Sequence, residues 1–267
     1  MLADTKERAL PAHAEQTLED YLVYLKHIAL YDFAKKYCAN QIVLDMGCGE
    51  GYGSNVLAGA ARMVIAADYS FETVAHAQVK YRRANTVFVV CDAQALPFKA
   101  ESFDTIISFE VIEHIPAVSQ YLTEIRRTLK ASGVSIISTP NCRMRLLPFQ
   151  KPWNRFHLRE YDDRGLARAM SDVFARVQML GITAIPPILE IEKQRVKQNP
   201  LVAYPRMLAQ MFLPKTFYHR LKNFRSDSED VEPPTANATL PNFSADDFTV
   251  SENDLRDCIN LVAVVNR

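Results

Sequence analysis

Three side chains that can ligate a metal ion or accept a proton fall within five residues, in the segment Glu110-Val111-Ile112-Glu113-His114. A second histidine, His157, follows a later apolar run. Together these form a mixed oxygen and nitrogen set that suits a divalent cation. Without a metal, an imidazole with a pKa of about 6.5 suits proton removal at neutral pH. The predicted catalytic residues are His114, His157 and Glu113, and the predicted metal ligands are Glu110, Glu113, His114 and His157.

A structural role for these residues also stays open. A glutamate at the end of a strand can simply bond backbone or a bound ligand. His157 precedes Arg159-Glu160-Tyr161, a sequence typical of the first turn of a helix, and can serve there as a packing residue.

A second motif is rich in glycine. Four of the eight glycines, Gly47, Gly49, Gly51 and Gly53, directly follow an apolar run and the acid Asp45. Such spacing frees a tight strand-to-helix turn from Cβ clashes at the carboxyl edge of a sheet. Open α/β sheets bind nucleotides at this edge.

Two acids restrict the kind of ligand expected there. Asp45, placed before the glycines, would repel a pyrophosphate and suits a ligand with an ammonium group. Asp68 ends the next apolar run, about 20 residues on, where an acid can accept both ribose hydroxyls. No Lys-Ser/Thr pair of a P-loop follows the glycines. The favoured ligand is a nucleoside with a cationic tail.

Further motifs continue in a fixed order after the glycine loop. They are Val89-Val90-Cys91-Asp92-Ala93, Leu96-Pro97-Phe98 with Ser102-Phe103-Asp104, the segment from Glu110 to His114, Leu129-Lys130-Ala131-Ser132-Gly133, and Ile136-Ile137-Ser138-Thr139-Pro140-Asn141. Over residues 41–141 the chain thereby resembles the class I S-adenosylmethionine-dependent methyltransferases, in particular bacterial enzymes that methylate sugars or small molecules. It departs at Ala131-Ser132, where the family often has Pro-Gly, and we expect only a turn to change.

The resemblance implies S-adenosylmethionine as the cofactor and assigns its contacts. The glycine loop and the acid before it would hold the methionyl end, and the acids after the next two strands would hold ribose and adenine. The aromatic and acidic residues that end the fourth strand would border the sulfonium. The implied cofactor-binding residues are Asp45, Gly47, Cys48, Gly49, Gly53, Asp68, Tyr69, Asp92, Ala93, Phe109 and Glu110.

The four-residue ligand set resembles the metal site of small-RNA 2′-O-methyltransferases and of some quinone-pathway O-methyltransferases. That resemblance implies a cation such as Mg²⁺, which would bind a diol or catecholate and lower the pKa of a hydroxyl. With or without metal, the prediction is oxygen methylation. By resemblance the leading acceptor is a sugar hydroxyl in a glycan, nucleotide sugar or glycosylated metabolite, which can be lipid-linked. The alternatives are a quinone or phenolic ring, an RNA 2′-hydroxyl, a carbon or nitrogen acceptor, and a non-catalytic scaffold.

Composition limits location and partners. The formal net charge is zero, and we find neither an apolar run of about 18 residues nor a signal-peptide pattern. Five scattered cysteines suit free thiols in a reducing compartment. We therefore expect a cytoplasmic protein without a transmembrane segment. A neutral chain makes nucleic acid an unexpected partner, and the oligomeric state is left open.

The elements that position these residues alternate between strands and helices, which predicts an α/β fold. Helical spacing of apolar residues predicts a helix over residues 17–37, with an acidic start at Leu18-Glu19-Asp20, which precedes the first strand and can cover the cofactor. A strand is predicted over Thr86 to Val90. The resemblance makes it a Rossmann-like, seven-stranded, mostly parallel sheet with an antiparallel last strand and an inserted helical segment. The predicted parts are an N-terminal helical segment (1–40), the core (41–185), an inserted lid or substrate subdomain (186–257), and the last strand (258–267). In the insert, residues 192–225 are basic and aromatic, which suits either a packed helix pair or a surface for a membrane or phosphorylated substrate.

Overall fold

Alternating strands and helices build the structure, a computed structural model that describes residues 17–146, 150–152, 154–196 and 242–267. The strands are β1 (Ile42–Met46), β2 (Met63–Asp68), β3 (Thr86–Val90), β4 (Phe103–Phe109), β5 (Leu129–Pro140), β6 (Arg176–Ala184), β7 (Phe248–Ser251) and β8 (Asn260–Asn266). The helices are α1 (Leu18–Cys38), α2 (Tyr52–Leu57), α3 (Phe71–Lys80), α4 (Val118–Thr128), α5 (Cys142–Arg145), α6 (Asp163–Ser171) and α7 (Pro186–Val196), with short 3₁₀ turns at Ile112–His114 and Ala245–Asp247.

All eight strands form one sheet in the order β3-β2-β1-β4-β5-β8-β6-β7. The first five strands in this order, β3, β2, β1, β4 and β5, pair in parallel. β8 runs antiparallel to both β5 and β6. The predicted mostly parallel, Rossmann-like sheet with an antiparallel last strand is confirmed. It has one strand more than the seven predicted, because β7 adds to the edge of β6. This strand has only four residues and lies inside the predicted insertion, where no apolar run marks it.

Alternation along the strands divides the core into two layers. Val43 and Ile107 face a cluster that includes Leu22 and Leu30 of α1. The adjacent strand residues Leu44 and Ile106 point to the opposite face of the sheet. There they belong to a second cluster that includes Ile125 of α4 and Leu166 of α6. Because side chains of a strand alternate between faces, every second residue at a strand end is directed toward α1.

Helix α1 begins where the predicted acidic start places it. The side chain of Thr17 accepts a hydrogen bond from the backbone N–H of Asp20 at 3.1 Å and caps the helix. Its apolar residues recur at helical spacing and bury one face against the sheet. The helix therefore covers the strand ends that carry the glycine loop.

The inserted segment is described only at its two ends. Helix α7 buries Ile188 against the core, and the chain returns through β7. Residues 197–241, which contain most of the basic and aromatic stretch, lie outside the described residues, as do residues 1–16. The four-part division of the chain stays a prediction. In the part of the chain that the structure describes, we find no helix with the length and hydropathy needed to cross a membrane.

Candidate functional site

The glycine loop follows β1 and turns sharply into α2. Gly47, Gly49 and Gly51 have φ angles of +77°, +52° and +84°, which side chains rarely tolerate. A Cβ on Gly47 would lie 2.3 Å from Cγ2 of Val111, whereas one on Gly49 would meet nothing within 4 Å. The loop thus packs tightly at its start and exposes bare backbone at its middle.

A cavity of about 590 Å³ opens beside this bare backbone, at the carboxyl ends of the parallel strands. That volume is typical of a small-molecule site. Ten of the predicted site residues line it: Gly47, Cys48, Gly49, Asp68, Tyr69, Asp92, Ala93, Phe109, Glu110 and His114.

Two carboxylates at one side of the cavity are oriented by backbone N–H groups. Asp68 accepts hydrogen bonds from Gly49 at 3.0 Å and from Ser70 at 2.9 Å. Asp92 accepts one from the N–H of Gln94 at 2.8 Å. Each carboxylate oxygen has two lone pairs, so capacity for ligand hydroxyl or amine donors is retained. The open backbone and the two fixed acceptors fit a nucleoside.

Asp45 and Gly53 do not line the cavity. Asp45 is fully buried and accepts hydrogen bonds from Tyr31 Oη at 3.2 Å and Ser54 Oγ at 2.5 Å. Burial raises the pKa of Asp45 to about 6, although both hydrogen bonds act to lower it. A Cβ on Gly53 would lie 2.0 Å from Cζ of Tyr31. Asp45 lies on the same strand face as Val43, so its side chain is directed at α1. Asp45 and Gly53 together hold the Tyr31 ring in place.

Three aromatic residues that α1 and α2 contribute to the cavity were missed by the sequence interpretation, as was Phe156. His27 and Tyr31 come from α1 and Tyr52 from α2. The helical spacing of α1 indicated only that this helix could cover the site. Burial lowers the pKa of His27 to about 4, with the charge of Lys26 acting in the same direction. The imidazole is therefore neutral at pH 7.

Glu110 belongs to a network that crosses three elements. It lies just after β4 with a φ of +56°, faces Lys26 Nζ at 3.6 Å, and accepts hydrogen bonds from Asn260 and Ser138. Lys26 also donates to Asn260 Oδ1 at 2.9 Å. Burial opposes ionisation of Glu110, but Lys26 and other nearby basic groups together outweigh it, and the pKa of Glu110 is lowered. Glu110 is thereby directed toward α1 and β8.

Of the four predicted metal ligands, the structure brings together three. Ligand atoms of Glu113, His114 and His157 all lie within 4.8 Å of one another, and Glu110 is not part of this group. The two imidazole rings meet edge to face, with centroids 4.9 Å apart. His114 lines the cavity, and Glu113 and His157 lie behind it.

Glu113 is fully buried within this group. Its Oε2 accepts a hydrogen bond from Thr139 at 3.0 Å, and Oε1 has no hydrogen-bond partner among the described residues. Burial, together with the negative charge of Glu110, raises the pKa of Glu113 well above its usual value. An orphaned buried carboxylate oxygen is costly unless a proton or a cation compensates it.

A second buried carboxylate, missed by the sequence interpretation, supports His157. Oε1 of Glu160 lies 2.8 Å from His157 Nδ1 and 3.8 Å from Arg145 Nε. The side chain of Glu160 is fully buried. The contact directs Nε2 of His157 away from Glu160, an arrangement common in metal sites and in histidine bases. Its signal in the sequence was an acid three residues after the histidine.

Comparison with known proteins agrees with this geometry. A family model described as a methyltransferase domain matches residues 44–137. A protein of Mycolicibacterium smegmatis, named a probable S-adenosylmethionine-dependent methyltransferase, is 30% identical over 265 residues, which are 98% of this chain and 94% of that protein. A ubiquinone biosynthesis O-methyltransferase of Bartonella quintana is 31% identical over 104 residues, 38% of this chain and 42% of the relative.

The fold is also similar to solved structures. The crystal structure of a methyltransferase of Thermotoga maritima, titled a possible histamine N-methyltransferase, has a TM-score of 0.56 and 12% identity, covering 96% of this chain and 99% of that one. The glycine loop, the two oriented acids and the full-length relative support one conclusion. The chain belongs to the class I S-adenosylmethionine-dependent methyltransferases and is an enzyme of that kind.

Proposed function

We propose that this enzyme methylates a hydroxyl oxygen. The observation that carries the proposal is the pair of histidines, backed by two buried carboxylates, at the end of the cavity bordered by Phe109 and Glu110. S-adenosylmethionine supplies an already activated methyl group. The remaining tasks of the protein are to position the acceptor and to remove its proton.

His114 is the residue that we assign to proton removal, because it lines the cavity. Its Nδ1 lies 3.1 Å from the carbonyl oxygen of Phe156, and donation to that carbonyl places the basic lone pair on Nε2. His157 packs edge to face against this ring and is itself held by Glu160. The second histidine thus fixes the orientation of the first.

As the alternative to a histidine base, we propose a divalent cation, such as Mg²⁺, held by Glu113, His114 and His157; His114 is then a metal ligand and does not remove the proton. The proposal is supported by the close approach of their ligand atoms and by the unsatisfied Oε1 of Glu113. A bound cation would compensate this buried charge and lower the pKa of a coordinated hydroxyl. Glu110 is left out of the set because Lys26 and Asn260 hold it.

For the acceptor we propose a sugar hydroxyl with a hydroxyl neighbour, in a glycan or a glycosylated metabolite. The ionisable side chains of Glu113 and His157, which lie behind His114, favour a polar substrate that carries a diol. A phenolic or quinol ring is the second candidate. It is favoured by Pro116 and Phe156, which line the cavity beside His114, and by the partial match to the ubiquinone O-methyltransferase.

The test measures methyl transfer from labelled S-adenosylmethionine to matched acceptors. Methyl glycosides with and without a vicinal hydroxyl form one pair, catechol and phenol the other, and a short RNA serves as a third arm. Each is assayed after chelation and again with added Mg²⁺ or Mn²⁺. We expect transfer to the vicinal diols. Loss of transfer on chelation and recovery with added metal would support the cation, whereas transfer that persists in chelator would support His114 as the base.

Variants distinguish the metal from the base. His114→Asn should lower kcat by about 100-fold or more, as expected for loss of a general base, and the matched surface change His76→Asn should not. If a cation is bound, Glu113→Gln should lower activity and weaken the response to added metal; if His114 acts as a base without metal, Glu113→Gln should lower activity much less than His114→Asn. Full activity in the presence of chelator would exclude the metal, and methylation of RNA alone would overturn the small-molecule acceptor.

A further inference from the structure

Four aromatic side chains occupy one end of the cofactor cavity. His27 and Tyr31 of α1, Tyr52 of α2 and Phe109 of β4 all line it. Along the carboxyl edge of the sheet, Asp92 follows β3, Asp68 ends β2, the glycine loop follows β1, and Phe109 ends β4. The aromatic group therefore lies across the glycine loop from the two acids that suit a nucleoside.

These rings touch one another and form a continuous wall. The centroid of Tyr31 lies 5.0 Å from that of Phe109 and 6.1 Å from that of Tyr52, both edge to face. His27 stacks on Tyr52 at 6.3 Å, and its Nδ1 lies 2.6 Å from the hydroxyl of Tyr52. The wall is thus fixed by contacts between its own members.

Independent contacts hold the Tyr31 ring rigidly. Its hydroxyl donates to Asp45, and its ring passes so close to Gly53 that no side chain could replace the glycine hydrogen. A preorganised ring loses little conformational freedom when a ligand binds.

The charges around the wall favour a positively charged ligand group. His27 is neutral at pH 7, because burial lowers its pKa to about 4. The neighbouring cation, Lys26, is directed to Glu110 and Asn260. Glu110 lines the cavity next to Phe109, and its charge is offset by that of Lys26, so no net positive charge faces the wall from this pair. Aromatic faces attract cations, and the attraction is larger when the site is shielded from water.

We propose that His27, Tyr31, Tyr52 and Phe109 form a cation-recognition wall for the sulfonium of S-adenosylmethionine. The wall makes the enzyme prefer the charged cofactor over the neutral thioether product S-adenosylhomocysteine, and so promotes product release. This inference rests on the cofactor of the family and does not depend on the acceptor or on the metal.

Binding measurements test it without turnover. Isothermal titration gives Kd for S-adenosylmethionine, for S-adenosylhomocysteine, and for sinefungin, which carries a charged amine in place of the methylated sulfonium. The variants are Phe109→Leu and Tyr52→Leu, which remove one ring each. Tyr52→Phe retains the ring, and Phe33→Leu makes the same kind of change on α1 outside the cavity.

We expect the two ring-removing variants to lose affinity for S-adenosylmethionine and sinefungin by about fivefold or more, the size of a partly desolvated cation–π contact. Affinity for S-adenosylhomocysteine should stay within about twofold, and Tyr52→Phe and Phe33→Leu should retain the wild-type preference. Thermal melting monitored by circular dichroism identifies any variant that fails to fold. If Phe109→Leu fails to fold, the comparison of Tyr52→Phe with Tyr52→Leu still tests whether the aromatic ring is needed for the preference.

Equal losses for charged and neutral ligands, or an unchanged preference in both leucine variants, would overturn the wall. Failure of the wild-type protein to bind any of the three compounds would overturn the cofactor assignment with it. Failure of every acceptor assay, with normal cofactor binding, would contradict only the proposed acceptor.

Discussion

At the residue scale, burial gives the acids of the site different charge states. Asp68 and Asp92 face the cavity and are oriented by backbone N–H groups. Burial opposes ionisation of Glu110, but Lys26 and other nearby basic groups lower its pKa. Burial, together with the negative charge of Glu110, raises the pKa of Glu113 well above its usual value. Environments that separate the pKa values of neighbouring acids assign them different roles. Glu110 serves as a fixed negative charge, and Glu113 needs a proton or a cation.

Asp68 is the acid on which cofactor binding should depend most directly. Asp68→Asn retains the shape of the side chain but removes a charged acceptor for ribose hydroxyls, whose hydrogen bonds are worth about 1.5 to 3 kcal/mol. We expect affinity for S-adenosylhomocysteine, measured by isothermal titration, to fall by about 10- to 100-fold. The exposed Asp172→Asn serves as the control and should bind normally. Unchanged affinity in Asp68→Asn would contradict the ribose assignment.

Asp45 should make stability depend on pH. Its pKa is about 6 in the folded state and about 3.9 in an unfolded chain. The folded state binds the proton more tightly, so the stability contributed by this group is present below pH 4 and is lost as pH rises to about 6. The loss amounts to about 3 kcal/mol.

Asp45→Asn removes this titration. In urea unfolding at pH 4.5 and pH 7, we expect the variant to gain stability relative to the wild type by about 2 kcal/mol at the higher pH. Asp172→Asn should run parallel to the wild type. Parallel curves for Asp45→Asn would show that this carboxyl has no raised pKa in the folded protein.

At the scale of elements, α1 is joined to the site by a buried ion pair rather than by apolar contact alone. Lys26 of α1, Glu110 after β4 and Asn260 of β8 satisfy one another. The pair closes α1 over the strand ends and directs Glu110 away from the metal ligands.

Lys26→Met should leave the partly buried carboxylate of Glu110 without its cationic partner. Loss of one partner of a fully buried pair costs about 3 to 5 kcal/mol; because the Glu110 side chain is 19% exposed, we expect the free energy of unfolding in urea to fall by less, about 2 kcal/mol. The double variant Lys26→Met/Glu110→Gln should recover part of the loss, because no unpaired charge remains. Lys35→Met on the exposed side of α1 is the matched control. A loss no larger than that of Lys35→Met would argue against the buried pair.

At the scale of the whole molecule, the last strand joins the two parts of the sheet. β8 pairs along its length with β5 on one side and β6 on the other. Its residues Leu261 to Val265 are buried in both core layers. The parallel core and the β6–β7 edge therefore depend on the final residues of the chain.

Removal of residues 260–267 should abolish cooperative folding, because β5 and β6 would each lose a neighbour and both layers would lose buried side chains. We expect circular dichroism melting to show no sharp transition. Removal of Arg267 alone, which bonds Glu101 at the surface, should preserve the transition. A cooperative transition in the longer truncation would show that β8 is dispensable.

Local patterns predicted much of the fold and ten of the residues that line the cavity. Thr86–Val90 was predicted as a strand with the bounds observed for β3, and α1 was displaced by one residue. Asp68, Asp92 and the first glycines lie at strand ends, where short-range sequence order alone sets their place. Tyr31 and Asn260 were missed because their partners, Asp45 and Glu110, lie in other elements. Glu160 was missed although it lies only three residues from His157.

The sequence by itself determined the alternation of strands and helices, the glycine turn, and the family, since each depends on neighbours in the chain. Tertiary structure decided how the acids divide. Helix α1 covers the side chain of Asp45. Glu110 contacts Lys26 of α1 and also Asn260, which is 150 residues away in the chain. Only packing of remote elements creates the burial and the fields that set such pKa values, and no local pattern encodes them.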